Sequence, residues 1–117
     1  MGKYKVVVNG CYGGFGVSER GAEWLLANGA NPDKVTVRND TEGLYGFAYV
    51  YVGLERHDPL LVRMVETLKQ AADGLHARLY VHQLDQPLYR INEYDGSETV
   101  EEPSHVHWDN ASTQESA

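Results

Sequence analysis

The run Gly10-Cys11-Tyr12-Gly13-Gly14-Phe15-Gly16-Val17-Ser18 decides how this sequence is read. It follows a stretch that reads as a strand, Tyr4 to Asn9, and opens onto one that reads as a helix, Glu19 to Asn28. Its four glycines lower the steric cost of unusual backbone angles and of close approach by another group. Helix starts present unpaired amides, and the local dipole favours an anion there. The turn is therefore the expected site of the chain.

Outward from the turn, the first strand carries Val6-Val7-Val8, a continuous apolar run suited to burial on both faces. Ser18 is placed to cap the first helix, whose apolar side is Ala22, Trp24, Leu25 and Leu26. Gly29 ends it, and Asn31-Pro32-Asp33 turns the chain. Lys34 to Arg38 alternates as a half-exposed strand, Asn39 to Gly43 is a polar connection, and Leu44 to Val52 reads as a strand with a bulge at Gly46.

Asp58-Pro59 is a strong helix start, an Asp cap followed by Pro at the first helical position. Leu61, Met64, Val65, Leu68, Ala71 and Ala72 then share one face, and Asp73-Gly74 stops the helix. Leu75 to Leu84 and Leu88 to Tyr94 read as a hairpin across Asp85-Gln86-Pro87. Asp95-Gly96 is a further turn signal, and Thr99 to Glu101 is an optional extra strand that is not counted in the order below.

This order, βαββαββ, predicts a single α+β domain over residues 1–108, a two-layer sandwich of two helices on a mostly antiparallel sheet. A disordered tail is expected over residues 109–117. In such a sandwich the first and third strands lie side by side and parallel, and both helices start at one edge. The glycine-rich turn would then face Arg56 and His57, and the two helix starts would hold a phosphate or carboxylate between them.

The 117 residues suffice for one modest core, and 42% of them are hydrophobic. A net charge of −7 argues against nucleic acid and anionic membranes, which attract cationic surfaces. The single cysteine cannot form an internal disulfide and fits a reducing cytoplasm. The apolar run near the N-terminus is too short for a signal peptide or a membrane span. Met1-Gly2 lacks the Ser or Thr that myristoylation wants at position 6, where Val6 stands.

Known chemical motifs fail in turn. Gly16 is followed by Val17, not by the Lys of a phosphate-binding loop, and the dinucleotide pattern of glycines is not met. Cys11 would gain thiolate character from the oncoming helix, but a cysteine phosphatase needs Arg where Val17 stands. His105 and His107 would share a face of an extended segment, yet no further ligand stands at metal spacing, so no metal is expected. Tyr80, Tyr89, Tyr94 and Trp108 offer stacking surfaces that serve equally as core or interface. The acidic run from Glu93 to Glu102 reads as a solvated rim.

Cys11-Tyr12-Gly13-Gly14-Phe15-Gly16-Val17-Ser18, Arg56-His57-Asp58-Pro59 and Glu93-Tyr94-Asp95-Gly96, with a Trp near the end, together resemble a widespread group of small bacteriophage proteins. The chain is also similar to phage anti-Thoeris sponges, which sequester cyclic ADP-ribose-type signals as homo-oligomers. That resemblance implies a homo-oligomer in the host cytoplasm that binds a small phosphorylated, nucleotide-like ligand without catalysis or cofactor. The expected ligand-binding residues are Cys11, Tyr12, Gly13, Gly14, Phe15, Gly16, Ser18, Arg56 and His57. Arg56 would neutralise charge, and Tyr12 or Phe15 would stack on a ring. Two other readings stand beside it: a small enzyme using Cys11, and a structural or partner-binding module.

Overall fold

The computed structural model describes residues 4–39 and 48–103. The chain runs β1 (Tyr4–Asn9), α1 (Glu19–Ala27), β2 (Val35–Asn39), β3 (Ala48–Val52) and α2 (Pro59–Leu68), which tightens into a 3-10 turn at Lys69–Ala72. β4 (Leu79–Leu84), β5 (Arg90–Tyr94) and β6 (Ser97–Glu101) follow. The architecture is α+β. The expected bulge at Gly46, the histidine pair at 105 and 107, Trp108 and the tail lie outside the described residues. No helix among the described residues is long and apolar enough to cross a membrane.

Both helix starts form as their cap residues dictate. Ser18 Oγ accepts the Gly21 N–H at 3.0 Å, and Asp58 Oδ1 accepts the Leu60 N–H at 2.8 Å with Pro59 inside the first turn. Val6, Val7 and Val8 are fully buried. The two-residue period of a strand sends Val7 into the main core with Leu25, Val35, Leu61 and Met64, and sends Val6 and Val8 to the other face with Leu84. β1 is thus covered on both sides. α1 packs on β2, β3 and α2, while α2 packs on β1 and β4. Ala71, expected on the apolar face of α2, is exposed, because the helix has already given way to the 3-10 turn.

The strand pairing differs from the expectation in two places. β1 does not lie parallel to β3. It pairs antiparallel with β4, Val7 opposite Val81, and β3 pairs antiparallel with β2. The free edge of β1 is occupied by single groups: Val7 N–H donates to Arg56 O at 2.8 Å, and Asn9 N–H donates to the Glu98 carboxylate at 2.9 Å. The hairpin also moves. β5 pairs with β6 across Asp95-Gly96, both at positive φ (52° and 93°), and not with β4 across Pro87. A two-residue Asp-Gly loop matches strand twist, whereas β4 already has β1 as its partner. The described strands therefore form three two-stranded ladders.

A third correction concerns the helix starts. They do not share an edge. Ser18 N–H donates to Ala72 O at 2.9 Å and its hydroxyl donates to Ala71 O at 2.5 Å, so α1 begins beside the end of α2 and its 3-10 turn. Val17 bridges Asp73, and Gly74 N–H donates to Gly16 O. The start of α2 lies a helix length away, about 15 Å at 1.5 Å per residue.

Candidate functional site

The glycine-rich turn is held by one side chain. Asn9 is fully buried. Its Nδ2 donates to Cys11 O at 2.7 Å and to Gly96 O at 2.8 Å. Its Oδ1 accepts from Cys11 N–H at 3.2 Å and from Arg78 N–H at 2.8 Å. All four hydrogen-bonding positions of the amide are filled. They tie the turn to the start of β4 and to the tip of the β5–β6 hairpin. Backbones meet so closely here that a Cβ on Gly13 would lie 2.1 Å from His76 Cβ and carbonyl oxygen, and one on Gly96 would lie 2.1 Å from Tyr12 O. These glycines make room for neighbouring backbone.

Arg56 does reach the turn, as the sequence reading expects, and its guanidinium lies 3.6 Å from the Phe15 ring centroid. It arrives with a carboxylate already in hand. Nη1 donates to Glu98 Oε1 at 2.6 Å and Nη2 to Oε2 at 2.8 Å. Burial pushes the Glu98 carboxyl up, but the Arg56 hydrogen bonds, the Asn9 N–H and the Arg56 charge outweigh it and hold the group below its ordinary value. An anion site exists at Arg56, and the chain's own β6 fills it.

The remaining expected residues separate. Cys11 contributes its peptide to Asn9, and among the described residues its thiol has no hydrogen-bond partner. Tyr12 is exposed, Gly14 and Gly16 belong to the turn, and the Ser18 hydroxyl is held by the α1 cap and Ala71. His57 leaves the turn altogether and faces a different concavity.

That concavity, about 600 Å³, opens between β1, the start of α2 and the segment after β4. Val6, Val62 and Leu84 line it as buried side chains, and Tyr4, Pro59, Pro87 and Tyr89 extend the apolar surface. Its polar lining comes from Lys5, His57, Arg63 and the Tyr89 hydroxyl, and no carboxylate is among the lining residues. Lys5 Nζ is 2.7 Å from Glu66. Arg63 has no ion-pair partner among the described residues, and its guanidinium lies 5.7 Å from the Trp24 ring centroid. His57 Nδ1 and Tyr89 Oη are 2.7 Å apart, with the rings edge to face. Burial, and then the Glu55 charge, raise the Tyr89 phenol above its ordinary value against the opposing pull of Arg56, so the hydroxyl keeps its proton.

Of this groove, sequence reasoning named His57 and singled out Tyr89 as a stacking ring. Tyr4, Lys5, Val62 and Arg63 were missed. Their only signal is the periodicity of an amphipathic helix, on which Val62 is buried and Arg63 exposed, and of a strand, neither of which says that the two elements leave a gap. Among the described residues no three His, Cys, Asp or Glu side chains gather as a metal site. No family model, curated protein or solved structure matches the chain.

Proposed function

We propose that this chain is a non-enzymatic binding protein for a small anionic molecule with an apolar or aromatic body, held in the groove between β1 and α2. Charge complementarity carries the reading. In a chain of net charge −7, this apolar concavity of about 600 Å³ is lined by no carboxylate and by Arg63, which has no ion-pair partner among the described residues, with His57 and the Glu66-paired Lys5 beside it. Its size is that of a small-molecule site, which couples mostly apolar walls to a few polar groups. The sponge resemblance narrows the class to phosphorylated, nucleotide-like ligands: a base against Tyr4 or Tyr89, and a phosphate near Arg63 and His57. Sequestration needs affinity and no reacting groups. The enzyme reading draws no support from Cys11, whose thiol meets no base among the described residues.

The test is a thermal-shift and calorimetric screen against nucleotides, cyclic nucleotides and dinucleotides. A ligand at about a hundredfold over its Kd stabilises the folded chain by about 2.7 kcal/mol, a shift of several degrees. Arg63→Glu should abolish the shift. A folded chain that shows none across the panel overturns the reading.

A further inference from the structure

We infer that His57 is the specificity-determining residue of this groove, positioned by Tyr89, and that capture of anionic aromatic molecules strengthens as His57 takes up a proton. The inference rests on the groove reading above and names how the site chooses its guests.

The Tyr89 hydroxyl retains its proton and lies 2.7 Å from His57 Nδ1, so in the neutral imidazole it donates there and the ring proton sits on Nε2. The imidazole is thereby fixed in orientation, and its second nitrogen is a donor. When His57 becomes cationic, Nδ1 turns donor to the phenol oxygen, the geometry survives, and a full positive charge is added to the groove lining. Arg63, on α2, lines the same groove and has no ion-pair partner among the described residues. Arg56 is committed to Glu98, and Lys5 to Glu66. The Asp58 carboxylate caps α2 through Leu60 N–H, and Glu55 acts on Tyr89 from the loop before α2. Neither Asp58 nor Glu55 lines the groove. A bound anion therefore supplies a negative charge that the groove lining itself lacks, and by linkage its binding and the protonation of His57 strengthen each other.

Two fluorescent probes of nearly the same shape test this. 1-Anilinonaphthalene-8-sulfonate carries a sulfonate that does not titrate, and N-phenyl-1-naphthylamine is uncharged. Affinities are measured at constant ionic strength at about pH 8 and about pH 5.5, which span the range over which imidazole side chains in general change charge, with near-ultraviolet circular dichroism confirming native packing. For the native chain the sulfonate probe should bind about fivefold more tightly at the lower pH, and the neutral probe should not change. His57→Gln should flatten the sulfonate response while retaining the neutral probe. Tyr89→Phe should weaken the sulfonate probe at both pH values and keep its pH dependence.

A flat sulfonate affinity in the native chain, or an equal rise in His57→Gln, overturns the role of His57. An unchanged Tyr89→Phe overturns the positioning by Tyr89. Both of these leave the groove reading intact if the neutral probe binds. Failure of both probes to bind the folded chain overturns the groove reading itself.

Discussion

Arg56 and Glu98, 42 residues apart in sequence, meet in a two-pronged ion pair, and the Phe15 ring lies against the guanidinium. Glu98 is only 6% exposed. The pair fastens the β5–β6 hairpin to β1, because Glu98 also accepts Asn9 N–H and Arg56 also donates to Val7 O.

Removing one partner strands the other. Glu98→Gln should cost about 3 kcal/mol, at the low end for breaking a buried pair because Arg56 retains some solvent contact. This corresponds to a fall in Tm of roughly 10–20 °C for a domain of this size. Calorimetry checks it.

The same carboxylate gives the stability a pH signature. Its folded value is lowered, so the contribution is fully present above the ordinary value of 4.5 and is lost as the pH falls through the lowered folded value. Urea midpoints measured from neutral pH downward should hold until that window and then fall. In Glu98→Gln the fall through it should be shallower.

Asn9→Ala leaves Cys11 N–H, Arg78 N–H and two carbonyls without their partner. A cost of about 3 kcal/mol is expected. Asn9→Asp should not rescue it, since a carboxylate cannot donate to Cys11 O and Gly96 O. Chemical denaturation of the two variants, with m values compared, separates lost stability from a changed unfolded state.

Gly13→Ala and Gly14→Ala should diverge, although the residues are neighbours. At Gly13 a methyl meets His76 backbone at 2.1 Å and must push the β4 approach aside, which should exceed about 3 kcal/mol. At Gly14 nothing lies within 4 Å, and only its φ of 92° opposes a side chain, at about 1 kcal/mol. Equal losses would show that the turn yields more easily than its contacts imply.

Local signals were well written in the sequence. Ser18 and Asp58-Pro59 marked both helix starts, Val6 to Val8 marked a strand buried on both faces, and Asp95-Gly96 marked a hairpin tip. Pairing was not written there. Leu79 to Leu84 alternates as well for β1 as for β5, and its partner is decided by the position to which α2 returns the chain. Arg56 does lie against the glycine-rich turn, at Phe15, but not by the route the sequence suggests: the parallel pairing of β1 with β3 that would bring them together does not form, and His57 turns away. The acidic run from Glu93 to Glu102 looks uniform in the sequence and reads as a solvated rim, yet two of its five carboxylates, Glu98 and Glu102, are buried, and only the tertiary packing of β6 and the residue after it distinguishes them. The groove escaped notice because it is a gap between elements, carried by residues that each look ordinary alone.

The amide of Asn9 joins Cys11 to Arg78 and Gly96, 69 and 87 positions further along from Asn9. During synthesis the first strand leaves the ribosome long before its last partners exist. The glycine-rich turn therefore cannot lock until the final hairpin has emerged, and a nascent chain halted before Gly96 carries an amino-terminal end still open to chaperones and proteases.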